Sequence, residues 1–195
     1  MKQEVKPNLN LHIYLHNFWH VISLLQFIFA GGGCMIRRAC VSDVSRLVEI
    51  FEGAKVFMRA CGNLSQWADG YPAREDFLRD ISSGNFYMLE VDGVVEAGFA
   101  LVPSPEPTYG YIDGAWLTDG DYVTIHRIVS SGAVRGVFDM AVDFALESYD
   151  VVRVDTHRDN EPMKRAILRR GFSYCGVIYL ANGDERLAYE IVKRA

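Results

Sequence analysis

Between two segments of regular pattern the chain reads Ser130-Ser131-Gly132-Ala133-Val134-Arg135-Gly136. Tyr122–Val129 alternates like a strand before it, and Val137–Ser148 repeats like a helix after it. The first N–H groups of a helix have no partner within it, and the helix dipole adds positive potential there. Such a place can hold a phosphate. Gly132 and Gly136 let the backbone approach a ligand closely, and Arg135 can add a charge-assisted contact. Two glycines before a helix more often mark a simple turn, so the loop alone identifies nothing. His126 stands in the strand just upstream. An imidazole titrates at about pH 6.5 and can serve as a base near neutrality. A histidine held in place by a hydrogen bond is an equal alternative.

Other side chains invite weaker readings. Asp155-Thr156-His157-Arg158-Asp159-Asn160 follows the next strand, and His157 there reads as support for the turn. Tyr179 or Tyr174 could supply an acid, although tyrosine in a strand usually packs. Trp67 and Tyr71 are candidates to line a ligand pocket, whereas Trp116 reads as docked on the core. Arg165, Arg169 and Arg170 could reach phosphates or simply be solvated. Cys175 reads as a buried thiol. The chain has 4 cysteines and no CxxC pair, which argues against a zinc site or disulfide framework and fits a reducing, cytoplasmic setting.

These groups need a scaffold, and the apolar periodicity supplies one. Ile36–Ala39 reads as a first strand. Ser42-Asp43 would cap a helix running to about Cys61, with Val44, Leu47, Val48, Phe51, Ala54 and Met58 on one face. A loop to Pro72 precedes a helix at Arg74–Ser82. Phe86–Val91, Asp92-Gly93 and Val94–Val102 read as a hairpin with a type I′ turn. Pro103–Asp121 is a long loop that could hang over a site. Then come the strand Tyr122–Val129, the helix Val137–Ser148, the strand Val151–Thr156, and the helix Pro162–Arg170 stopped by Gly171. Tyr174–Leu180 and Arg186–Ile191 are strands joined at Asn182-Gly183. The order predicts an α/β (α+β) domain around one central sheet.

Composition sets the outer bounds. The 195 residues are 50% hydrophobic and 23% charged, with a net charge of −5. That suits one globular domain and argues against broad nucleic-acid binding, which needs excess Lys and Arg. Residues 1–34 do not conform: Pro7–Cys34 holds no Asp, Glu, Lys or Arg. Leu11–Ala30 is apolar but too often interrupted by polar residues for a good membrane span. His12, His16 and His20 have helical spacing without an acidic or cysteine partner, so no metal site is expected. The domain is expected to occupy 35–195, with 1–34 upstream sequence from a misassigned start codon. Finding peptides from 1–34 in the native protein would refute that.

The run from Tyr122 to Phe172 resembles the GNAT superfamily of N-acetyltransferases, over about Met35–Glu190. In that family a loop of pattern Arg/Gln-x-x-Gly-x-Gly/Ala holds the acetyl-CoA pyrophosphate, an Asn follows the next strand, and the last helix closes on Gly-Phe. Here Gly136, Asn160 and Gly171-Phe172 match. Ile125–Ile128 (Ile-His-Arg-Ile), Asp155–His157, Gln66-Trp67 and Tyr71-Pro72 also resemble a bacterial subgroup. Ala133 and Phe138 depart from the loop pattern, and Ile167 stands where many members carry an acid Tyr. The resemblance implies a mixed, mostly antiparallel sheet flanked by helices, acetyl-CoA as co-substrate without a metal, and direct transfer to an amine. It places the cofactor along Ile128, Val129, Val134, Arg135, Gly136, Val137, Phe138, Asn160 and Met163; the residues themselves, not the resemblance, offer His126 as base and Tyr179 or Tyr174 as acid. An inactive acyl-CoA-binding module is the alternative. The implied partners are acetyl-CoA and an amine, with no nucleic acid or membrane. Pairing of the last strands between subunits would give a homodimer.

Overall fold

Alternating apolar residues make strands here and a 3.6-residue repeat makes helices. The computed structural model describes residues 33–64, 66–67 and 70–194. The His12, His16 and His20 reading, and most of the 1–34 reading, lie outside the described residues. Strand β1 (Cys34–Arg38) begins one residue before the expected domain start. Helix α1 (Val44–Ala60) buries Val44, Leu47, Ile50 and Phe51, and α2 (Arg74–Ser82) buries Phe77. Strands β2 (Phe86–Val91) and β3 (Val94–Pro103) form the hairpin. Asp92 and Gly93 have φ of 51° and 81°, both positive as a type I′ turn requires. Then follow β4 (Asp113–Gly114), β5 (Val123–Ser130), α3 (Val137–Ser148), β6 (Val151–Thr156), α4 (Glu161–Arg169), β7 (Ser173–Tyr179) and β8 (Glu185–Val192). Among the described residues no helix is long and apolar enough to cross a membrane.

Three local expectations are corrected. Ser42 and Asp43 do not cap α1. Asp43 instead accepts from the Cys40 N–H at 2.8 Å and closes a 3-10 turn, Val41–Asp43, ahead of the helix. The loop Pro103–Asp121 is not structureless, because it holds a 3-10 turn at Pro107–Tyr109 and the strand β4. The β7–β8 connection is wider than a two-residue turn. Leu180 N–H donates to the Asp184 carbonyl at 2.9 Å, and Gly183 carries the positive φ of 86°.

The eight-stranded sheet runs β1-β2-β3-β5-β6-β8-β7-β4. Neighbours are antiparallel except β5 and β6. That parallel pairing covers only Val123↔Val152, Thr124↔Arg153 and Ile125↔Val154, after which the strands part. On one face Val123, Ile125, Val152 and Val154 pack against α3 and α4 through Phe138, Ile167 and Phe172. On the other, α1 and α2 cover Phe86, Met88 and Ala100. Farther along that face, Tyr109 of the long loop packs with Tyr122, Val151, Ile178 and Ala188.

Candidate active site

The site is built where β5 leaves β6. Gly98 of β3 faces Val129 and Ala100 faces His126, so β5 takes three steps where β3 takes two. The extra residue is a β-bulge. Arg127 has φ 48°, a conformation that costs a non-glycine residue about 1–3 kcal/mol. Its guanidinium donates to Asp80 at 2.6 and 2.8 Å and to the Tyr71 hydroxyl at 3.0 Å, which holds it there. The bulge also changes which way side chains point. Ile125 packs toward α3 and α4, and His126 lies on the opposite face with its register partner Ala100. Past the bulge Ile128 packs with the α3–α4 core and Val129 with the α1–α2 core. From His126 to Ser130 no strand among the described residues lies beside the backbone on the β6 side.

A cleft of about 1940 Å³ opens through this gap. At one end it is lined by Gly132, Val134, Arg135, Gly136 and Val137. Gly136 has φ 75° and no side chain caps α3, so the N–H groups of the first turn lack an internal partner. A Cβ added at Gly132 would meet nothing within 4 Å. Arg135 is exposed. Asp139, in the same turn, is paired with Arg169 at 3.0 Å, which offsets its charge. These features fit an anion of pyrophosphate type.

At the other end the cleft is lined by Trp67, Tyr71, Asp80, Glu106, His126 and Asp155. His126 Nδ1 lies 3.6 Å from Asp155 Oδ1, and Nε2 lies 3.9 Å from Glu106 Oε2. Both separations exceed hydrogen-bonding distance. Burial lowers the His126 pKa from its ordinary 6.5, against the upward pull of Asp155 and Glu106. Asp155 Oδ1 instead accepts from the Tyr109 hydroxyl at 2.7 Å. Burial, reinforced by Asp155, pushes the Tyr109 hydroxyl pKa well up, so it is a donor.

The long loop holds Tyr109 in place. The Tyr109 ring stacks on Trp116, centroids 5.2 Å apart and planes 4° apart. The Arg153 guanidinium lies 4.0 Å from the Trp116 centroid and 3.8 Å from that of Tyr122. Such cation–π contacts contribute about 0.5–2 kcal/mol each. Arg153 also donates to fully buried Glu190 at 2.7 Å and to the Thr118 carbonyl at 2.7 Å. Trp116 is thus docked, as the sequence suggested.

Of the residues singled out from sequence, His126, Ile128, Val129, Val134, Arg135, Gly136, Val137, Asn160, Met163, Trp67 and Tyr71 all line the one cleft. Val129 is 4% exposed, so its side chain is closed to a ligand. Asn160 is committed on both sides. Its Oδ1 caps α4 at the Met163 N–H, 3.2 Å away, and its Nδ2 donates to Gln66 Oε1 at 2.9 Å. Two of the side chains named from the sequence lie away from the cleft lining. The Phe138 side chain does not line the cleft: it is buried, with its ring 5.7 Å from that of Phe172. Burying a phenylalanine contributes about 1.5–3 kcal/mol, and the first turn of α3 aims it at the sheet. Tyr179 is also absent from the lining. It alternates along β7 with fully buried Ile178, so it projects outward, its ring 6.1 Å from Tyr111. His157 Nδ1 accepts from the Asp159 N–H at 3.2 Å and supports its turn. Arg169 and Arg170 pair with Asp139 and Asp143 of α3. Sequence reasoning missed Asp80, Glu106 and Tyr109. The signal available was the long loop, and the polar residues Arg153 and Asp155 set among the valines of β6.

No family model matches the chain, and no curated protein matches it. Solved structures do. A GNAT-family acetyltransferase from Streptococcus agalactiae is 31% identical with a TM-score of 0.73, over 84% of this chain and 97% of that one. A GNAT-family acetyltransferase from Listeria monocytogenes, 20% identical with a TM-score of 0.62, covers 82% of this chain and 94% of its own. A Salmonella typhimurium protein solved with its cofactor acetyl-CoA is 16% identical with a TM-score of 0.54, over 83% of this chain and 95% of that one. The last two share the fold. The parted strands, the uncapped helix start between them and the Streptococcus likeness agree: this chain belongs to the GNAT family of acetyltransferases.

Proposed function

We propose that the protein transfers an acetyl group from acetyl-CoA directly to a primary amine of a small molecule, amino acid or peptide. One observation carries this reading: a single cleft joins the uncapped start of α3 to His126 through the gap between β5 and β6. Acetyl-CoA would supply an activated acyl group as a thioester. Gly132, Arg135 and Gly136, with the N–H groups of Val137 and Phe138, would hold its pyrophosphate. The Ile128–Val129 backbone, Val134 and Met163 would flank its arm, and Asn160 would shape the wall from its place at the α4 cap. Backbone N–H groups freed by the splay would donate to the carbonyl oxygen as it gains charge. The amine arrives protonated. Glu106 Oε2 faces the His126 ring and can attract that ammonium, and the neutral imidazole can accept its proton. The protonated ring is then a proton source for the leaving sulfur. Trp67 and Tyr71 would wall the acceptor side.

Buried Phe138 and Ile167 favour a second reading, an acyl-CoA-binding module without turnover. Phe138 leaves the loop without its small residue, and Ile167 offers no proton. Two measurements separate the readings. Acetyl-CoA should raise the melting temperature, since a ligand of the folded state stabilises by mass action. No rise at millimolar acetyl-CoA would sink both. Release of free CoA with a panel of amines marks the enzyme, and a shift without release marks the module. The four cysteines are free thiols, which supports a cytoplasmic setting. A homodimer through the C-terminal strands, without nucleic-acid or membrane partners, completes the proposal.

A further inference from the structure

Asp155 Oδ1 has two suitors. The Tyr109 hydroxyl reaches it at 2.7 Å, while His126 Nδ1 stands 3.6 Å away. A carboxylate hydrogen-bonded to an imidazole stabilises the charged ring and would hold a proton on it. Here the hydroxyl has taken that place. The Tyr109 ring also stands edge-on to His126, centroids 5.8 Å apart and planes at 88°. Tyr109 has little room to retreat, since its ring lies on Trp116, which Arg153 and buried Glu190 fix to the sheet. We propose that Tyr109 is a positioning residue that occupies Asp155 Oδ1 with its own hydroxyl and so leaves the His126 imidazole free to take a proton from the acceptor amine. This rests on the reading of His126 as the base.

The groups around His126 come from several elements: Asp155 from β6, Glu106 and Tyr109 from the long loop, Asp80 from α2, and Arg127 beside it in β5. Asp80 is already bound by Arg127, and Glu106 Oε1 accepts from the Thr108 N–H and hydroxyl. Asp155 is therefore the carboxylate whose engagement with the ring a single hydroxyl controls.

Tyr109→Phe keeps the ring stack and removes the hydroxyl. Asp155 Oδ1 then becomes free for His126 Nδ1, the ring binds its proton more tightly, and the acid limb of kcat/KM moves to higher pH. A move of about one unit means about a tenfold loss at pH values below both midpoints, with the alkaline plateau kept within about threefold. Asp155→Asn removes the charge and moves the limb the opposite way. The His126 ring titration, followed by NMR in the whole chain, should show the same opposed shifts. An unmoved His126 titration in folded Tyr109→Phe, shifts of the same sign in both variants, or a loss uniform across pH would overturn the proposal. The NMR arm needs no turnover. If no amine releases CoA but the opposed shifts appear, the enzymatic reading fails while the Tyr109 effect on the ring stands.

Discussion

As the proposed base, His126 depends on what its neighbours withhold as much as on what they supply. Two carboxylates lie near it, yet neither comes within hydrogen-bonding distance of its nitrogens. Burial keeps its pKa below 6.5, so the neutral ring predominates at neutral pH. Activity should fall as pH drops through that lowered value, because the proposed base is then protonated. His126→Gln should remove this acid limb and lower kcat/KM at neutral pH by about 10²–10⁴-fold, the range for a lost general base. An unchanged pH–rate profile in the variant would move the base elsewhere, with Glu106 next in line. Arg127 contributes differently. Its strained backbone re-aims β5, and its side chain ties that strand to Asp80 and Tyr71.

At the scale of elements, two devices shape the cleft. One is the three-residue parallel pairing of β5 with β6, which leaves backbone groups beyond it unpaired. The other is the mounting of the Pro103–Asp121 loop on β7. Gly114 and Gly176 cross so closely that a Cβ at Gly176 would sit 2.2 Å from the Asp113 carbonyl oxygen, at a φ of 147°. Only glycine fits both the space and the angle. Gly176→Ala should therefore cost about 2–3 kcal/mol, read as a lower urea midpoint. It should also lower activity, since the same loop carries Glu106 and Tyr109. Wild-type stability in that variant would show that β4 is dispensable to the loop.

Across the whole molecule, charge pairs link elements distant in sequence. Arg37 of β1 donates to Glu90 of β2 at 2.8 Å and to Asp43, ahead of α1, at 2.8 and 2.9 Å. The Arg37 hydrogen bond is the main cause holding the Asp43 carboxyl at about 2, below its ordinary 3.8. A depressed carboxyl stabilises the fold above its unfolded value. That contribution is full above about pH 4 and is lost as pH falls toward about 2. Chemical denaturation from pH 5 to pH 2 should show this loss, and Asp43→Asn should flatten that part of the curve while lowering stability at pH 5. An equally steep acid loss in the variant would assign it to other carboxylates.

Local pattern alone determined most of the elements. Arg74–Ser82, Val137–Ser148 and Val151–Thr156 were legible residue for residue, because side-chain periodicity and end signals act within a few residues. The type I′ hairpin followed from Asp92-Gly93, and Gly171 ended α4 with φ 90°. Gly136, Asn160 and Gly171-Phe172 marked the family in order along the chain. Tertiary structure alone decided which groups meet. Tyr109 and Asp155 are 46 positions apart, and Arg127 and Asp80 are 47 apart. No periodicity encodes such pairings, since they follow from sheet order, a bulge and a loop locked by two glycines. The same packing turned Phe138 inward and Tyr179 outward. Burial of a ring and alternation along a strand settled where those side chains went, and the family pattern did not.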